Sequence, residues 1–295
     1  MEGNWAQVLF NSAVTSSLYL IAAIGLTLTY GLSGFPNFAY AEFMTFGAYI
    51  GYFVSRQLGL DIIFAFIGAF LASGALGALT YQGVFRFLAN RGATKIHLMV
   101  ASIGLGFAIR HIIGDRWGWP PFTFGISWSA FDIGAIRVTD LWLGLIFTAL
   151  ATAAIMHLVL TRTKTGKAIR GISTNPELAL ASGINIERVN LVTWGFGAGL
   201  AGIAGLFWGA MAALSPLLGW TTILPVFAVT ILGGIGSFYG ILAAAFILGL
   251  AENLGTVALT QFGFSTEYRM AIAFIILIAT LVARPQGLAR AFRRL

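Results

Sequence analysis

The chain has 295 residues, of which 58% are apolar, 37 are Gly and only 9% are charged; mean hydropathy is +0.89. A typical soluble domain is roughly 25% charged, and so few charges cannot cover so much apolar surface in water. The composition therefore excludes a soluble protein and predicts an all-α, polytopic membrane helical bundle, while the absence of Cys excludes disulfides, thiolate metal sites and Cys nucleophiles.

A spanning helix needs about 20 mostly apolar residues. Candidate spans fall near 8–31, 38–55, 60–80, 97–113, 141–161, 190–213, 238–259 and 268–283. A ninth apolar stretch, 222–236, is interrupted by Pro225 and by Gly233-Gly234-Ile235-Gly236. Its 15 residues rise only about 22 Å as a helix, which predicts a re-entrant or broken crossing. The expected total is eight or nine membrane segments.

Orientation follows from the loops. Arg86, Arg91 and Lys95 lie in 81–96; Arg162, Lys164, Lys167, Arg170 and Arg188 lie in 162–189; Arg284, Arg290, Arg293 and Arg294 follow 283. These regions hold twelve of the 17 basic residues. The positive-inside rule places all three in the cytoplasm, with the C-terminus inside and 114–140 outside. The net charge of +7 belongs to these loops and does not point to nucleic acid. Residues 1–55 contain no Lys or Arg, so no basic region of a cleaved signal peptide is expected. Segments between spans are too short for a soluble core, so residues 1–295 read as a single membrane domain. Its energy source must be a gradient or a partner.

Chemistry-bearing patterns are sparse. His97, His111 and His157 are dispersed, no His-Glu-x-x-His occurs, and Gly166-Lys167 lacks the rest of a phosphate loop. This chain is not expected to be an enzyme or to hold a cofactor or metal of its own.

Pro36-Asn37-Phe38-Ala39 and Pro225-Val226-Phe227-Ala228 share a pattern, and Gly47…Gly51 and Gly236…Gly240 follow each at the same distance. The constant offset of 189 predicts an inverted repeat of broken helices, each Pro in the first turn of a half-helix. Asn37, Tyr40, Glu42, Gly47, Pro225, Gly233, Gly234 and Gly236 are then candidates for the translocation path. Two readings of Glu42 stay open: a residue of the path, or a buried carboxylate with a structural partner. Glu252 poses the same question. Arg110 and His111 read as interfacial anchors, and the glycines from Gly195 to Gly209 as helix packing.

The segment 162–189 carries the strongest signal. Asn175 is placed as an N-cap, Pro176 at the first helical position, Glu177 in the first turn and Gly183 as a left-handed C-cap backed by Ile184. A helix of about seven residues is too short to be stable alone and must dock on something.

The string from Arg170 through Asn175-Pro176-Glu177-Leu178-Ala179, Ala181 and Gly183-Ile184-Asn185 resembles the LivH/LivM family of branched-chain amino acid permeases. Its core resembles the loop by which permeases of ABC importers grip their ATPases. Gly25–Gly31, Asn37-Phe38-Ala39 with Glu42-Phe43, Val229–Ser237 and Arg284-Pro285-Gln286-Gly287-Leu288 resemble further family segments, in order along most of the chain. Tyr40-Ala41 departs from the family's usual His-Gly. The resemblance implies a permease subunit in the cell membrane that works by alternating access. Its implied partners are a second, LivM-like permease, two ATPases that use ATP and Mg, and an extracytoplasmic substrate-binding protein. Arg170 and the 175–184 residues would transmit ATPase motion. Urea or a short-chain amide is an alternative substrate, and an ion-gradient transporter is the alternative class.

Overall fold

A computed structural model describes residues 4–265, 268–283 and 287–288. The expected tail residues Arg284, Pro285, Gln286, Arg290, Arg293 and Arg294 lie outside the described residues. In chain order the helices are α1 (Trp5–Ser33), α2 (Tyr40–Tyr52), α3 (Ile62–Thr80), α4 (Arg86–Asn90), α5 (Lys95–Trp117), α6 (Asp140–Arg162), α7 (Lys164–Thr174), α8 (Pro176–Ala181), α9 (Ile186–Met211), α10 (Leu218–Gly233), α11 (Phe238–Gln261) and α12 (Arg269–Ala283).

Among the described residues, six helical stretches are long and apolar enough to cross a bilayer: Trp5–Ser33, Ile62–Asn90, Lys95–Trp117, Asp140–Arg162, Ile186–Met211 and Phe238–Gln261. Leu218–Gly233 and Arg269–Ala283 are shorter apolar helices. The architecture is that of a multi-pass membrane bundle.

Three local differences from the sequence reading have physical causes. The helix expected to end near 80 runs on through a π-turn, Tyr81–Phe85, to Asn90, because no strong breaker precedes Arg91-Gly92, where Gly92 has φ +81°. Segment 162–189 holds α7 as well as the expected short helix. The region after α5 contains strands, which an all-α reading misses: β1 (Phe122–Thr123) pairs antiparallel with β4 (Ala213–Leu214), and β2 (Ala130–Ile133) with β3 (Ile136–Thr139).

The Pro-based half-helix reading is corrected. Pro225 lies inside α10, and Pro36 precedes α2 by four residues. Gly47 is buried within α2, whereas Gly236 has φ +78° in the break between α10 and α11. The windows related by the 189 offset thus adopt different local structures. Membrane helices tolerate an internal Pro where nearby groups take up the freed carbonyl.

The chain forms two compact units: Met1–Ala23, Gly125–Thr152 and Leu224–Leu295 make one, and Ile24–Phe124 with Ala153–Ile223 the other. In the second unit, α2 and α3 pack closely on α9, whose glycines admit their backbones. A Cβ on Gly202 would stand 2.5 Å from the Ala69 carbonyl oxygen and 2.6 Å from Ser73 Oγ, and one on Gly205 would overlap the Met44 carbonyl. Lipid supplies little hydrophobic drive between helices, so close packing of this kind holds them together. Trp194, which is buried, packs beside Phe35, Tyr81 and Phe85 and donates from Nε1 to Ser33 Oγ at 2.8 Å. In the first unit, Gly287, at φ +62°, sits against the end of α10, and the Leu288 amide donates to the Leu232 carbonyl at 2.7 Å. That contact ties the Gly-Leu of the C-terminal motif to the Gly-rich break.

Candidate functional site

Both α7 and α8 are capped by their own sequence. The Thr163 hydroxyl oxygen accepts from the Gly166 amide at 3.0 Å, starting α7. At α8, Asn175 Oδ1 accepts from the Leu178 amide at 3.0 Å, and Pro176 occupies the first helical position. The far end closes as expected. The Ile184 amide donates to the Ala179 carbonyl at 3.1 Å, and the Gly183 amide to the Leu180 carbonyl at 2.9 Å. This paired pattern requires a left-handed residue, and Gly183 supplies it with φ +79°.

One α8 side chain, Ala179, turns inward and is 4% exposed; Leu178 and Leu180 point out at 64% and 62%. Arg170, Glu177 and Ala181 are also exposed, and Ile184 is half-buried. On this six-residue helix Leu178 and Leu180, two residues apart, flank the inward Ala179 on either side, so both flanks of α8 present an exposed leucine. Asn175→Ala should cost about 0.5–2 kcal/mol of local helix stability, seen as faster amide exchange at 177–183 with no change in the spanning helices.

The second set of candidates lies around α2. Glu42 is fully buried, and its Oε1 accepts from Arg110 Nε at 2.9 Å and from Arg110 Nη2. The Arg110 guanidinium also stacks 4.7 Å from the Trp220 ring centroid. Arg110 is 5% exposed, so the interfacial-anchor reading is corrected: a carboxylate one helix away outweighs a route to the headgroups. Glu42 Oε2 and Asn37 Nδ2 are buried without a hydrogen-bond partner. Asn37 Oδ1 accepts from the Ala39 amide at 3.1 Å, opening the turn into α2.

Tyr40 is also buried and donates to the Gly197 carbonyl at 3.2 Å. Gly47 lies where a Cβ would overlap Gly202 of α9. The structure therefore brings Asn37, Tyr40, Glu42 and Gly47 together on α2 and in its entry turn. Gly233, Gly234 and Gly236 instead shape the α10–α11 break of the other unit, where Gly233 and Gly240 come into close backbone contact.

Glu252 forms a separate buried cluster within its own unit. Its Oε2 accepts from Tyr19 Oη and from Arg269 Nε, each at 2.9 Å, while Asn253 Nδ2 donates to Thr15 Oγ1 at 3.1 Å. Sequence reading flagged Glu252 but missed Tyr19 and Arg269. Arg269, at the start of α12, carried the only signal: a basic residue at the edge of an apolar run.

The family model for "Branched-chain amino acid transport system / permease component" matches residues 8–281. The chain is 29% identical to the high-affinity branched-chain amino acid transport system permease protein LivH of Salmonella typhimurium, over 96% of this chain and 94% of that protein. It is 29% identical to the probable LivH of Methanocaldococcus jannaschii, over 95% and 91%. The LivM permease protein of Salmonella typhimurium is more distant, at 23% over 94% of this chain and 68% of that protein. Among solved structures, PsaBC from Streptococcus pneumoniae in complex with Fab shares the fold, with a TM-score of 0.52, 16% identity and coverage of 96% and 94%. The chain belongs to the family of branched-chain amino acid transport system permease components.

Proposed function

We propose that this chain is the LivH-like permease subunit of an ATP-driven importer of branched-chain amino acids. Its partners are a LivM-like second permease, two ATPase subunits and an extracytoplasmic substrate-binding protein. ATPase closure moves α8, and that motion switches the bundle between outward and inward access. The 81–96 and 162–189 segments and the C-terminus face the cytoplasm. The chain performs no chemistry itself.

The observation that carries the reading is that Leu178 and Leu180 are both exposed, on opposite flanks of a short helix capped at both ends. Apolar side chains on so short a helix, outside any spanning stretch, gain most by inserting into a partner's groove. A further fact supports ATP over an ion gradient. Glu42 and Glu252, the buried carboxylates among the described residues, each already have an Arg partner and are poorly suited to carry a proton or sodium ion. The departure at Tyr40 is absorbed by a helix–helix hydrogen bond, which leaves the family substrate as the simplest assignment.

The test is uptake by the assembled importer in proteoliposomes. Leu178→Asp with Leu180→Asp should lower leucine uptake at least tenfold with the chain still present in the membrane at parental level, because both positions are exposed. Unchanged ATP-dependent uptake in that variant would remove α8 from the coupling path.

A further inference from the structure

Beneath α7 lies a cavity of about 260 Å³ that the coupling surface does not use, at the junction of α1, α6, α7 and α9. Leu28, Met156, Val159, Ile169 and Phe196 make its walls apolar. Val192, which also lines it, is 52% exposed and marks the opening toward the surface. Three threonines also line it: Thr163, whose hydroxyl is bonded within the start of α7, the exposed Thr165, and Thr193, which is 3% exposed and whose Oγ1 has no hydrogen-bond partner.

The outer side of α7, the helix that walls the cavity, has the opposite character. Helix α7 turns Gly166, Ile169 and Ile172 inward and leaves Lys164 and Lys167 exposed. Arg162 precedes them, and residues 141–176 contain no Asp or Glu. The cavity therefore sits where the last turns of a spanning helix, α6, meet a basic amphipathic helix. Such helices lie in the bilayer interface and attract anionic headgroups.

These features select the occupant. An aliphatic chain suits the walls, and an ester carbonyl at its head would accept from the Thr193 hydroxyl, whose burial without a partner is costly. A phosphate would lie against the lysines. A free amino acid fits worse, because none of the residues that line the cavity carries a carboxylate to hold its ammonium group. We propose that the cavity and the Lys164–Lys167 face together form a binding site for one anionic phospholipid. The site does not depend on the chain's being ATP-driven.

Native mass spectrometry of the full-length chain in mild detergent tests this, with dioleoylphosphatidylglycerol, dioleoylphosphatidylcholine and inorganic phosphate as probes. The phosphatidylglycerol adduct should form at least tenfold more readily than the phosphatidylcholine adduct. Lys164→Gln with Lys167→Gln should weaken it about fivefold per lysine. Val159→Trp, which fills the cavity, should abolish that preference without altering charge. Val192→Trp at the opening does the same should the first variant fail to fold. Equal binding of the two lipids would overturn the site. So would full displacement by millimolar phosphate, or retention of the adduct in a correctly folded tryptophan variant, since either leaves only a headgroup on surface lysines. A self-associated chain that excludes lipid would assign the cavity to a protein contact instead.

Discussion

Arg110→Ala should destabilise the chain by about 3–5 kcal/mol, because it leaves the Glu42 carboxylate buried without its counter-ion. Glu42→Ala should cost a similar amount by stranding the guanidinium between Glu42's position and the Trp220 ring. The pair replaced together, Glu42→Leu with Arg110→Met, should recover to within about 1 kcal/mol of the parent, since apolar residues of similar volume often match a buried ion pair. Thermal unfolding in detergent, followed by tryptophan fluorescence, measures all three. The double variant then separates the two readings of Glu42. Retained uptake makes the pair a structural clamp of α2 on α5. Lost uptake in a stable double variant makes it part of the path.

Gly205→Val should prevent the bundle from accumulating in the membrane. The first added carbon would fall on the Met44 carbonyl, so α2 and α9 would have to separate along their length. Overpacking commonly costs 1–3 kcal/mol and more when backbone must move. Gly104→Ala on α5 is the control: its Cβ would meet nothing within 4 Å, and alanine favours a helix by nearly 1 kcal/mol. Quantifying folded protein after membrane extraction distinguishes the two. Equal yields would show that α2 and α9 do not pack as described.

Much of this protein is legible in its sequence because lipid imposes simple rules. Spanning helices must be mostly apolar over about 20 residues, so their positions can be read from the run of apolar residues along the chain. Both caps of α8 are also local: Asn175, Pro176 and Gly183 each act on backbone groups within a few residues. Helix α7 is not legible in this way, because its inward side holds only Gly166, Ile169 and Ile172 and needs the ends of α6 and α9 to bury against. The Pro-x-Phe-Ala echo misled for a related reason. Two similar strings diverged because one lies in the entry turn and body of α2, and the other in a helix interior and the break after it.

What the sequence determined by itself is the class of molecule, the apolar helices, the capped α8 and the family, since each depends on composition or on residues close together in the chain. Only the tertiary structure decided which charges are neutralised. Arg110 is 68 residues from Glu42; Arg269 is 17 from Glu252, and Tyr19, which adds a hydrogen bond to that carboxylate, is 233 away. In a low-dielectric interior, whether a carboxylate stands alone or paired depends on the one or two groups within reach, and that proximity is created by helix packing rather than by spacing along the chain.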